Sequence, residues 1–224
     1  MLPKERLNFN PQTHIRNYSY PLQLPLKKKL DQYLIGLEGE LRSNQVYVDL
    51  IPKVGNVGKD YQSIWGVLCK QPLERIVHIP HFNFTLDSSG FQIGVQIEGK
   101  TPTAKMERNI RDNKGEFLEI LRKLDGFNLV IRKRWNVDNR PRKFQSETAT
   151  TIKLGKNEQT KSDNITIQDV NYISEKLNQL TLFEIYCGFS YDCDNKILEN
   201  KNFLKVSSKI MEKLKEYYNF SQRH

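Results

Sequence analysis

Hydrophobic and polar positions alternate along most of this chain, and the period of the alternation changes from stretch to stretch. In LKKKLDQYLIGLEGELR (26–42), apolar residues recur at Leu26, Leu30, Tyr33, Leu34, Leu37 and Leu41, the spacing of an amphipathic helix. QVYVDLIPKV (45–54) and SIWGVLCK (63–70) read as strands, with a glycine-bearing loop between them. Helical spacing returns over 103–124, weakened at Gly115, and again over 203–220. FNLVIRKRW (127–135) and LTLFEIYCGFSY (180–191) predict strands, and Thr166 is placed to cap a helix running to Leu180. Prolines at 3, 11, 21 and 25 predict an irregular arm over 1–25.

The pattern is sharpest over 74–100, ERIVHIPHFNFTLDSSGFQIGVQIEGK, where two period-two runs flank an Asp-Ser-Ser-Gly turn. With Asp87 and Gly90 at the ends of that turn, His81 pairs with Gln96, Ile79 with Glu98 and Val77 with Lys100. One face then carries Phe82, Phe84, Leu86, Phe91, Ile93, Val95 and Ile97. The other carries His81, Asn83, Thr85, Gln92, Gln96, Glu98 and Lys100, and a slip of one residue scrambles both. The element order predicts a single α+β (or α/β) domain over 1–224, with a central mixed sheet, an antiparallel hairpin within it, and flanking helices.

Charge narrows the function classes. Lys and Arg exceed Asp and Glu by 35 to 26, a net +9, which points to a polyanionic partner, nucleic acid first. The surplus concentrates in IRKRWNVDNRPRKF, where Arg132, Lys133, Arg134, Arg140, Arg142 and Lys143 surround Trp135. A basic loop over 131–145, leaving a strand, suits phosphate contacts and guanine edges; a solvated surface loop is the plainer reading. Lys27 to Lys29 are a weaker phosphate candidate. No apolar run approaches the roughly 18–20 residues that span a bilayer, and MLPKERLNFNPQ lacks the apolar core of an export signal. Cys69, Cys187 and Cys193 form neither an even set nor a CxxC pair, so a reducing cytoplasm is expected.

Glu98 and Lys100 raise the question of chemistry. Two residues apart on a strand, a carboxylate and a lysine share a face; the carboxylate can hold Mg²⁺ and the lysine can stabilise the charge that develops at an attacked phosphate. Such a site needs a second ligand. His81 lies diagonal to Glu98 in the hairpin, and Glu74, Asp60, Asp49, Glu38 and Glu40 are the other candidates, whereas Asp87 lies about 30 Å along the strand. VQIEGKT, with Pro80 opening the preceding strand and a helix following, resembles the second half of the PD-(D/E)xK motif of type II restriction endonucleases. His81 stands where that family has aspartate.

The resemblance implies a nuclease-like core over about 26–135, followed by a C-terminal strand and helices over 165–220. It also implies an Mg²⁺-dependent, sequence-specific endonuclease of double-stranded DNA acting as a homodimer. Glu98, Lys100 and His81 would be catalytic, and Glu98 would bind metal with Glu74 or Asp60. The other class the sequence supports is a basic nucleic-acid-binding protein without catalysis, docking through the polar hairpin face.

Overall fold

The computed structural model describes residues 20–55, 64–70, 79–87, 90–136, 144–156, 164–178, 183–191 and 203–223. The elements run α1 (Tyr20–Ser43), β1 (Ile51–Val54), β2 (Ile64–Cys69), β3 (His81–Asp87), β4 (Gly90–Ile97), α2 (Lys100–Asp112), α3 (Lys114–Arg122), β5 (Asn128–Asn136) and β6 (Phe144–Lys153). They continue with α4 (Ile167–Leu177), β7 (Phe183–Tyr191), α5 (Phe203–Lys213) and α6 (Lys215–Gln222). This is an α+β fold in which helices flank one seven-stranded sheet, ordered β1-β2-β3-β4-β7-β5-β6. The sequence predicts a mixed sheet; every pairing whose register is described, β1 with β2, β2 with β3, and β5 with both β6 and β7, is antiparallel. No described helix is long and apolar enough to cross a membrane.

The chain divides into two compact units, each assembled from separated segments. The first comprises Met1–Leu73, Phe82–Gly94 and Phe189–Glu212. Its helix α1 buries the predicted stripe of Leu30, Leu34, Leu37 and Leu41. It lies close on β2: a Cβ added to Gly66 would come within 2.5 Å of Leu34 Cδ1, so only glycine lets the helix approach there. The helix opens at Tyr20, earlier than the prolines predict. Pro21 falls in the first turn, whose N–H groups have no partner inside a helix anyway.

Beyond α1 the chain reverses at Gln45, whose φ is 55°, and the Val46 N–H reaches back to the Leu41 carbonyl at 3.0 Å. Residues 45–50 therefore form a turn in spite of their alternation, and β1 starts only at Ile51. Tyr47 and Leu50 are buried by it, and the Tyr47 hydroxyl donates to the Met211 carbonyl at 3.0 Å.

The second unit comprises Glu74–His81, Val95–Gly188 and Lys213–His224. The predicted helix over 103–124 is two helices, broken at Asn113 (φ −137°, ψ 46°), two residues before the Gly115 that weakens the pattern. The final helical stretch is likewise split at Leu214 into α5 and α6. Phe117 of α3 stacks on Phe220 of α6, with centroids 5.2 Å apart. The buried Glu107 of α2 takes Arg111 at 3.2 Å and the Ser174 hydroxyl of α4 at 3.2 Å. Thr166 caps α4 in the predicted place through a reciprocal capping box with Asp169. At the chain's end the Arg223 guanidinium donates to Glu116 at 2.6 Å and holds that carboxyl below its ordinary value. Strand β6 is a finding the sequence reading did not anticipate. Residues 131–136 belong to β5, in line with the strand predicted over 127–135, and β6 pairs back along them from Phe144, so this part of the predicted 131–145 loop is a hairpin arm.

Candidate nucleic-acid interface

β4 ends at Ile97, one residue short of the acid that the sequence placed on it. Glu98, half-exposed, follows the strand; Gly99 turns the chain with φ 88°; and Lys100, exposed, is the first residue of α2. A φ in that region suits glycine and little else. The turn is held by Thr103, whose hydroxyl donates to the Gly99 carbonyl at 2.6 Å. The two-residue period that would set Glu98 and Lys100 side by side has therefore ended before either is reached. The pair flanks a strand-to-helix turn.

The polar and apolar sorting of the hairpin does hold. Tyr33 packs edge-on against both Phe84 and Phe91, and Phe82, Phe84, Phe91, Ile93, Val95 and Ile97 are all fully buried. The other face is covered in part: His81 is 2 % exposed and Gln96 4 %, whereas Asn83, Thr85 and Gln92 are half-buried. His81 opens β3 and Gln96 is the next-to-last residue of β4, so the covered polar positions lie at one end of the hairpin. His81 donates Nδ1–H to the Ile79 carbonyl at 3.0 Å, which sets its tautomer.

Among the described residues no three His, Cys, Asp or Glu side chains gather as a metal ion would need. Glu74 and Asp60, the acids expected to join Glu98, lie outside the described residues, as do Arg140, Arg142 and Lys143. The described donors around Glu98 thus do not by themselves fit Mg²⁺. Burial pushes the Cys187 thiol well up, the opposite of an activated nucleophile.

The basic residues are better placed. β6 pairs with β5 from Asn128 to Asn136, whereas the described pairing of β7 with β5 stops at Lys133 opposite Phe183. Among the described residues, Arg134, Trp135 and Asn136 pair with β6 only, as the end of a two-stranded ribbon; the sequence between its strands bears Arg140, Arg142 and Lys143. The sequence matches no known protein family and no curated protein.

At the root of the ribbon, Lys133 is exposed and Arg132 sits opposite Glu184 of β7. Arg132 Nη1 lies 3.5 Å from Glu184 Oε1, and its guanidinium sits 5.6 Å from the Tyr186 ring centroid. Glu184 and Tyr186 were not singled out as functional in the sequence; an acid inside the apolar run TLFEIYCGF is the signal that could have found them.

Phe91 and Tyr191 both pack on Phe203, so odd positions of β4 and β7 share a face. By the same period Gln96, Glu184 and Tyr186 share the other. Gln96 Oε1 is buried and accepts no hydrogen bond among the described residues. Such an orphan acceptor costs about 1–3 kcal/mol. Gln96→Met, which removes the amide and keeps the length, is expected to raise the unfolding free energy by roughly 1–2 kcal/mol in urea titration. A fall instead would mean that the amide is satisfied in solution.

Proposed function

We propose that this protein binds double-stranded DNA by laying the β5–β6 ribbon into a groove. The observation that carries this reading is the β5–β6 ribbon: beyond Lys133, at its root, the described pairing of β5 is with β6, Arg134 lies there, and Arg140, Arg142 and Lys143 stand in the sequence between the two strands. A major groove about 12 Å wide admits a two-stranded ribbon, and basic side chains on it neutralise phosphates. The net charge of +9 favours the encounter.

The test is fluorescence anisotropy with a duplex of random sequence at several salt concentrations. Five phosphate contacts correspond to a slope of log K against log salt near −4.5. Failure to bind at about 50 mM salt, well below the ionic strength at which such binding is normally lost, sinks this reading.

A second reading, an Mg²⁺-dependent endonuclease acting as a homodimer, is favoured by Glu98 and Lys100 flanking Gly99 at the carboxyl end of an interior strand. It needs Glu74 or Asp60 to join Glu98. Long unmethylated DNA incubated with Mg²⁺ and with EDTA separates the two. Discrete fragments formed only with Mg²⁺ and lost in Glu98→Ala support the nuclease, and intact DNA at saturating protein supports binding alone.

A further inference from the structure

We infer that Glu184 is a positioning residue for DNA binding: it holds the Arg132 guanidinium at the root of the β5–β6 ribbon so that one edge of it stays available to a phosphate. This deepens the DNA-binding reading and rests on it.

The inference starts from an anomaly of placement. Glu184 belongs to a strand that is otherwise apolar at that end, between Phe183 and Ile185, and its side chain is only 8 % exposed. A buried ion pair is a weak stabiliser, because desolvating two charges offsets most of their attraction. Well-packed apolar residues often replace such a pair without loss, so the ion pair's contribution to stability is a weak reason for an acid here.

Its geometry is a stronger one. Arg132 is 28 % exposed, opposite Glu184 across the β5–β7 pair, with one nitrogen 3.5 Å from the carboxylate and its plane near the Tyr186 ring. A guanidinium has five N–H donors in a rigid fork. Glu184 and Tyr186 engage one side of it, and the exposed remainder keeps donors for an anion. An arginine so held has already lost the side-chain freedom that an unsupported one gives up when it binds.

Two effects oppose each other when Glu184 loses its charge. The protein loses one negative charge near the ribbon, which by weaker repulsion of phosphate tightens DNA binding, by roughly twofold at physiological salt. Arg132 also loses its brace, which weakens binding by roughly threefold to tenfold. The proposal requires the second to win.

The experiment measures duplex affinity of the full chain for wild type, Glu184→Gln, Glu184→Asp, Arg132→Ala and the Glu184→Gln/Arg132→Ala double variant, with thermal melting of each. The expected result is weaker binding for Glu184→Gln despite its lost negative charge, partial recovery in Glu184→Asp, and no further loss from Glu184→Gln once Arg132 is alanine. Tighter binding of Glu184→Gln than wild type overturns the proposal, as does an equal loss in the presence and absence of Arg132, which marks a general structural role. A wild-type protein that does not bind duplex at all overturns the DNA-binding reading itself, a separate outcome.

Discussion

Phe91→Ala is expected to destabilise the protein by about 3–5 kcal/mol, the largest single-residue effect in the first unit. Phe91 is fully buried on β4. Its ring meets Tyr33 of α1 edge-on at 5.9 Å and Phe203 of α5 at 5.3 Å, while Tyr33 and Phe203 stack on each other at 5.4 Å. One strand and two helices far apart in sequence are thus joined through three rings. Truncation removes the buried area and leaves a cavity that two aromatic neighbours are too stiff to fill. Phe91→Leu, which keeps most of the volume, is expected to cost about 1.5 kcal/mol or less. Urea titrations of both variants make the comparison, and a loss below about 1 kcal/mol for alanine means that the three-ring cluster is not what holds α1 and α5 to the strand.

The second large effect is on binding. Replacing Lys133, Arg134, Arg140, Arg142 and Lys143 together with alanine is expected to weaken duplex affinity by on the order of a hundredfold or more near 0.15 M salt, and to flatten the salt dependence by up to about 4.5 in slope. The two readouts must move together, because both come from the same released counterions. Lys133 is exposed, and the melting temperature of the variant is expected to stay within a few degrees of wild type. An unchanged salt slope would mean that the ribbon lies off the DNA. Loss of affinity with an unchanged slope would point to misfolding or to a non-phosphate contact.

Local pattern and tertiary outcome part company at identifiable places. The leucine stripe of α1, the Thr166 cap and the two-faced sorting of the β3–β4 hairpin were all legible, because each depends on spacing within one segment. The break at Asn113 was nearly so: the glycine that weakens the helical pattern stands two residues beyond it. The strand assigned over 45–54 was half wrong because burial over 47–50 does not follow the period of two: Tyr47 and Leu50 are buried while Val48 and Asp49 between them lie outside. β6 was missed because FQSETATTIK has no apolar face of its own; it is a strand because β5 offers it a ladder.

The candidate site shows the same division. That Glu98 and Lys100 stand two apart is a sequence fact; that they share a strand face is not, since the strand stops at Ile97 and Gly99 turns into a helix. The position of Gly99 was visible, but a glycine in a strand and a glycine in a turn look alike until its φ is known.

By itself, then, the sequence determined the amphipathic segments, the α+β class and the surplus of positive charge, because periodicity and composition are properties of a segment and of a sum. Only the tertiary structure decided that His81 and Gln96 are covered, that Arg132 meets Glu184, and that Lys133 and Arg134 lie on a strand paired to β6. Those depend on which strands become neighbours, and β7, about 50 residues further along the chain, pairs with β5 only once the sheet has formed.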